Sequence, residues 1–136
     1  MMNKKGKMVI MMTKGELARD YFQNGCNCAQ AVLLAFCEDY GMEKDTAMMI
    51  AASFGSGMAG LRSVCGTVTG ANMVIGLAKG SDRGAANAAF REFAAGFTEK
   101  NGSLICKELL AMRIKTRLTC ADLCQDAGDL LEKIIK

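Results

Sequence analysis

Short apolar runs at helical spacing, each bounded by a capping residue or a glycine, follow one another along this chain without a single proline. Proline is the strongest helix breaker, at about 3 kcal/mol in a helix interior. The β-branched runs that favour strands are also scarce. The pattern therefore predicts an all-α fold, a compact array of about seven short helices. Thr13 and Glu16 form a capping-box pattern opening a helix that runs to about Gly25. Asn27 caps the next, residues 28–40, which Gly41 closes. Asp45 caps a third, "TAMMIAASF", and the loop "GSGMAGLR" leads to Ser63 as cap of a glycine-bearing helix that ends at Gly80. Ser81 starts a long helix with a buried stripe of Phe90, Phe93, Ala94 and Phe97, which Asn101 and Gly102 stop. Ser103 caps "LICKELLAM", the basic "RIKTRL" reads as an exposed connection, and Thr119 caps a final helix. Leu123, Ala127, Leu130, Leu131 and Ile134 line one face of that last helix.

At 136 residues and 51% apolar, the chain can bury a core without staples. The expected division is a poorly ordered leader over residues 1–12 and a single helical domain over 13–136. The N-terminus places lysines before an apolar run, as a signal peptide does, but that run covers only residues 8–12 and lacks a small-residue cleavage site. The most membrane-like stretch, residues 64–78, would span about 22 Å as a helix, short of a bilayer core of ~30 Å. A cytoplasmic location without a membrane span is the expectation. The net charge of +3 is dispersed apart from "NKKGK", and there is no tryptophan. Neither an electrostatic footprint nor a stacking platform for nucleic acid is present.

Seven cysteines stand beside no histidine. In a reducing cytoplasm such density points to metal or redox chemistry more than to structural disulfides. Without histidine no Cys–His or Ser–His hydrolase can be assembled. Cys28, Cys65, Cys106 and Cys120 all fall in the first turn of an expected helix. There the unpaired N–H groups and the helix dipole favour a thiolate. Arg62 and Lys107 lie near two of them in sequence. Each of these cysteines also begins an apolar stripe. If successive helices alternate in direction, those starting at Cys28, Cys65 and Cys106 begin at one end. Cys120 joins them if "RIKTRL" runs back along the bundle, a reach of about 20 Å for six extended residues. Gly66, Gly70 and Gly76 each cost a helix roughly 0.5–1 kcal/mol. Gly66 and Gly70, one turn apart, would let a neighbouring backbone approach and bring a second thiol beside Cys65.

Any one buried cysteine is an ordinary small core residue, and Cys37 and Cys124 are read that way. Cys26 makes a C-x-C pair with Cys28, tight for a disulfide but usable for metal. "GSGMAG" satisfies G-x-G-x-x-G yet follows a helical run rather than a strand, which argues against a dinucleotide site. A backbone-lined small-anion site beside Ser63 fits that segment better. The paired methionines read as core filling rather than copper ligands.

The segments "NGCNCAQAVLLAF", "FGSGMAGLRSVCGTVTGANMVIGLAKG", "NGSLICKELL" and "CADLCQDAGDLLEKI" resemble, in order, the C-GCAxxG-C-C family, whose members are described as redox-active. The resemblance runs from about Asn24 to the end. It places the family cysteines at Cys28, Cys65, Cys106 and Cys120, with Thr67 where the family usually has alanine. It implies a small redox-active protein. The leading reading is a thiol protein in which Cys65 and one of Cys28, Cys106 or Cys120 exchange between dithiol and disulfide with an unspecified redox partner. A second reading has the same four sulfurs holding zinc or an iron–sulfur cluster. A third is a non-catalytic helical module with core cysteines and a homodimer interface.

Overall fold

The computed structural model describes residues 12–135. All of the expected leader except Met12 lies outside them. Among the described residues seven α-helices of about two turns or more form: α1 Lys14–Gln23, α2 Cys28–Phe36, α3 Lys44–Ile50, α4 Gly66–Lys79, α5 Arg83–Asn101, α6 Cys106–Thr116 and α7 Cys120–Ile134, with a one-turn winding over Gly55–Met58 that has left-handed φ at Ser56 and Gly57. No strand forms among the described residues, and an isolated antiparallel bridge joins Val64 to Ile105. The expected all-α array is therefore observed. No helix among the described residues is long and apolar enough to cross a membrane.

Three helix starts follow the sequence reading. Thr13, Asn27 and Thr119 each complete a reciprocal capping box, with Glu16, Gln30 and Asp122 respectively. After Phe36 the α2 chain tightens into a 3-10 turn over Cys37–Tyr40, closed by Gly41 at φ +80°. Four other boundaries are corrected. Asp45 sits inside the first turn of α3, whose N-cap is Glu43. That helix stops at Ile50, and the amide of Asn27 donates to Ala51 O and Ala52 O at 3.3 and 3.0 Å just beyond it. Asp82, not Ser81, caps α5 by accepting from Ala85 N–H at 3.1 Å.

The remaining two corrections share one cause. Ser63 and Ser103 both precede helices, but the residues after them are drawn into mutual backbone pairing before either helix begins. Cys65 N–H donates to Leu104 O at 2.8 Å, Cys106 N–H to Ser63 O at 2.6 Å and Lys107 N–H to Arg62 O at 3.2 Å. The helices consequently start at Gly66 and Cys106, with Cys65 and Ile105 as N-caps. "RIKTRL" is not a six-residue connection either. Good helix formers carry α6 through Thr116, and Arg117 turns the chain at φ +59° directly into α7.

α1 packs between α2 and α7, α2 lies along α4, and α5 covers α4 and α7. Phe93 and Phe97 are fully buried and their rings stack at 5.6 Å, while Phe90 is half-buried. Each buried phenylalanine contributes about 1.5–3 kcal/mol. The α2–α4 contact answers why α4 carries glycine. A Cβ at Gly66 would lie 3.0 Å from Cys28 Cβ, and one at Gly70 would lie 2.8 Å from Ala29 O. These glycines bring the α4 backbone against the first turn of α2. A Cβ at Gly76 would meet nothing within 4 Å, and no contact explains that glycine.

Gly70→Ala is expected to destabilise the protein by about 1–3 kcal/mol, because a rigid carbonyl blocks the added methyl. Gly76→Ala is expected to stabilise it by about 0.5–1 kcal/mol through helix propensity alone. Urea unfolding of the two variants checks the contrast.

Candidate functional site

Cys28, Cys106 and Cys120 are the first residues of α2, α6 and α7, and Cys65 is the N-cap of α4. Two devices bring these starts together. The glycine face of α4 seats Cys65 close to the Cys28 turn. The backbone pairing of residues 62–65 with 104–107 fixes Cys65 and Cys106 in adjoining strands of chain. All four sulfur-bearing residues line one cavity of about 270 Å³. Its apolar wall is Phe22, Leu109, Leu110 and Leu123, and its polar side chains are Asn27, Ser56, Arg62 and Arg113. Cys28, Cys65 and Cys106 are buried and Cys120 is half-buried.

All seven cysteines are free thiols. The Cys28 thiol lies near enough to Cys120 and Cys124 for each to shift its ionisation. Arg113 Nη2 donates to Cys120 Sγ, and Arg62 Nη1 lies 3.8 Å from Cys106 Sγ. Cys65 Sγ sits 3.0 Å from the Thr67 hydroxyl, so Thr67 touches the site.

The expectation of acidic thiols is corrected for three of these groups. Contact with Cys120 favours the Cys28 thiolate, but contact with Cys124, burial and the neighbouring sulfurs outweigh it and push Cys28 up. Contact with Cys28, then burial, raises Cys120 against the pull of Arg113. Burial raises Cys65 against the Thr67 hydroxyl and the amides of Thr67 and Val68. Desolvation and like charge defeat the helix dipole here. Between touching thiols, the sulfur that ionises first is stabilised by the other's S–H, and its charge then opposes the second ionisation.

Arg62 is held over the cavity by an unusual loop. Ser56, Gly57, Met58, Ala59, Gly60 and Arg62 all have φ between +53° and +80°. Four of these are not glycine, and left-handed backbone there costs energy that surrounding bonds must hold. Ala59 N–H donates to Ser53 O at 2.7 Å and Ser63 N–H to Gly57 O at 2.9 Å. The "GSGMAG" segment is thus a tight winding at the rim, with no βαβ unit among the described residues.

Sequence reasoning missed two residues. Arg113 was hidden in the stretch read as an exposed connection, and helical periodicity carried past residue 112 would have revealed it. Cys124 reads as core, and it is fully buried, but it also lies near enough to Cys28 to raise that thiol's pKa. One turn separates it from Cys120, a spacing that places both on one face. Lys107 is exposed. Cys26 faces Met48 Sδ at 3.9 Å, and Cys37 donates to Leu34 O at 3.7 Å. Among the described residues, no group of three or more Cys, Asp or Glu side chains is placed to hold a metal ion.

Alkylation of Cys28, Cys65 and Cys120 by iodoacetamide is expected to be slow at pH 7. It should accelerate by about tenfold per pH unit through and beyond the ordinary thiol range, since only the thiolate reacts. Peptide-resolved mass spectrometry across pH 6–10 checks this, and a plateau below about pH 8 would contradict it.

A family model described as "Putative redox-active protein (C_GCAxxG_C_C)" matches residues 26–134. No curated protein and no solved structure matches the chain. The matched region contains every residue of the cysteine-lined cavity except Phe22, and the protein belongs to the C-GCAxxG-C-C family.

Proposed function

We propose that this protein is a dithiol reductant in which Cys120 is the nucleophile and Cys28 the resolving thiol. The observation that carries the reading is that these two thiols line one cavity, near enough for each to shift the other's ionisation. Cys120 is the more accessible of the two and has the Arg113 guanidinium against its sulfur. In this reading Arg113 stabilises the thiolate as it forms. Attack by Cys120 on an acceptor disulfide forms a mixed disulfide and expels one thiolate. Cys28 then attacks Cys120 Sγ, closes the Cys28–Cys120 disulfide and releases the second thiol. Cys124, in contact with Cys28, is positioned to exchange with that bond from the core side. Cys65 and Cys106 complete the thiol lining. The sequence expectation centred exchange on Cys65. The proposal moves it because Cys65 is occupied by Thr67 while Cys28 and Cys120 hold each other.

The direction of electron flow follows from the same environment. A site that stabilises its thiolates makes an oxidant, because it favours the reduced form. Here burial disfavours the thiolates of both Cys28 and Cys120, and Cys124 adds to it at Cys28, which supports reading the pair as an electron donor.

Diamide treatment is expected to remove two of the seven titratable thiols, and dithiothreitol to restore them. Cys28→Ser should abolish the reversible loss, because Cys28 is the shared partner. Cys65→Ser should retain it. Thiol counting with a chromogenic disulfide reads both, and loss in Cys65→Ser with retention in Cys28→Ser would contradict the assignment.

A further inference from the structure

We infer that the cavity accepts low-molecular-weight disulfides carrying carboxylate groups, a substrate class for the exchange proposed above and resting on that reading. Two guanidinium groups from separate elements, Arg62 of the rim loop and Arg113 of α6, stand directly against Cys106 and Cys120. No aspartate or glutamate lines the cavity with them. The α2, α4, α6 and α7 starts all open on the same space, so their positive dipole ends add to the guanidinium field. Arg113 Nε is buried without a hydrogen-bond partner. A guanidinium is built to take a carboxylate through two parallel N–H bonds, and this one has a donor to spare.

Size and access fix the rest. The cavity of about 270 Å³ falls just under the roughly 300–1,000 Å³ usual for drug-sized ligands. Its thiols are recessed, with Cys28 at 8% exposure and Cys65 at 5%. A short aliphatic chain laid along Leu109, Leu110 and Leu123 reaches the half-buried Cys120. A carboxylate on Arg113 or Arg62 sets the substrate's S–S bond beside Cys120. Over one turnover the Cys28–Cys120 dithiol gives two electrons and two protons to R–S–S–R, yielding two R–SH and one protein disulfide.

The test is a charge series of small disulfides reacted with the reduced full-length protein at low salt: 3,3′-dithiodipropionate, bis(2-hydroxyethyl) disulfide and cystamine. The anionic compound should react about tenfold faster than the neutral one, and the cationic one slowest. In Arg62→Gln and Arg113→Gln the anionic-to-neutral ratio should fall towards one, and taking the ratio cancels any change in thiol reactivity. A second measurement is independent of redox chemistry and of these variants. Suberate, which replaces the S–S of dithiodipropionate by two methylenes, should raise the melting temperature of the wild-type protein, and 1,8-octanediol should not. Equal rates for all three disulfides, with no effect of suberate, would overturn the anion site and leave thiol exchange standing. Stabilisation by suberate with no reaction of any disulfide would overturn the exchange chemistry itself.

Discussion

The contact on which the rest of the structure depends is the approach of α4 to the first turn of α2. At Gly70 the Ala29 carbonyl stands closer than a Cβ would tolerate, and at Gly66 a Cβ would crowd the Cys28 side chain. Without that approach Cys65 and Cys28 would sit on helices held a side chain further apart. The glycines reduce helix propensity by roughly 1–2 kcal/mol together, and the gain is positional. Packing of α1 against both α2 and α7 then places Cys120 beside Cys28.

The chemistry of the resulting cavity is set by competition between two fields. Helix starts and guanidiniums favour negative charge, while burial and neighbouring sulfurs oppose it. For Cys28, Cys65 and Cys120 the opposing terms win. These three thiols therefore rest protonated in a cavity that also holds the Arg62 and Arg113 guanidiniums. Such a site is poised to bind an anion first and to ionise a sulfur at the moment of attack. The left-handed loop from Ser56 to Arg62 belongs to the same design, since its strained backbone carries one of the two guanidiniums.

Much of this was legible in the residues themselves. The Thr13, Asn27 and Thr119 caps, the all-α class and the placing of Cys28, Cys65, Cys106 and Cys120 at helix starts could be read from local spacing, and so could the packing role of Gly66 and Gly70. What could not be read depends on contacts distant in sequence. Ser63 and Ser103 look like caps by every local rule, but each is overridden by pairing with the other's segment, some 40 residues away. Arg113 looked solvent-exposed because its charge was weighed without its helix. The contacts of Cys28 with Cys120 and Cys124 span the whole chain, and no local pattern marks them.

Locating the sulfur atoms by anomalous diffraction, in reduced and in oxidised crystals, tests the central claim most directly. The account predicts the Cys28 and Cys120 sulfurs touching in the first and joined at about 2.05 Å in the second. Sulfurs lying in separate apolar niches, or an oxidised bond that leaves Cys28 free, would contradict it.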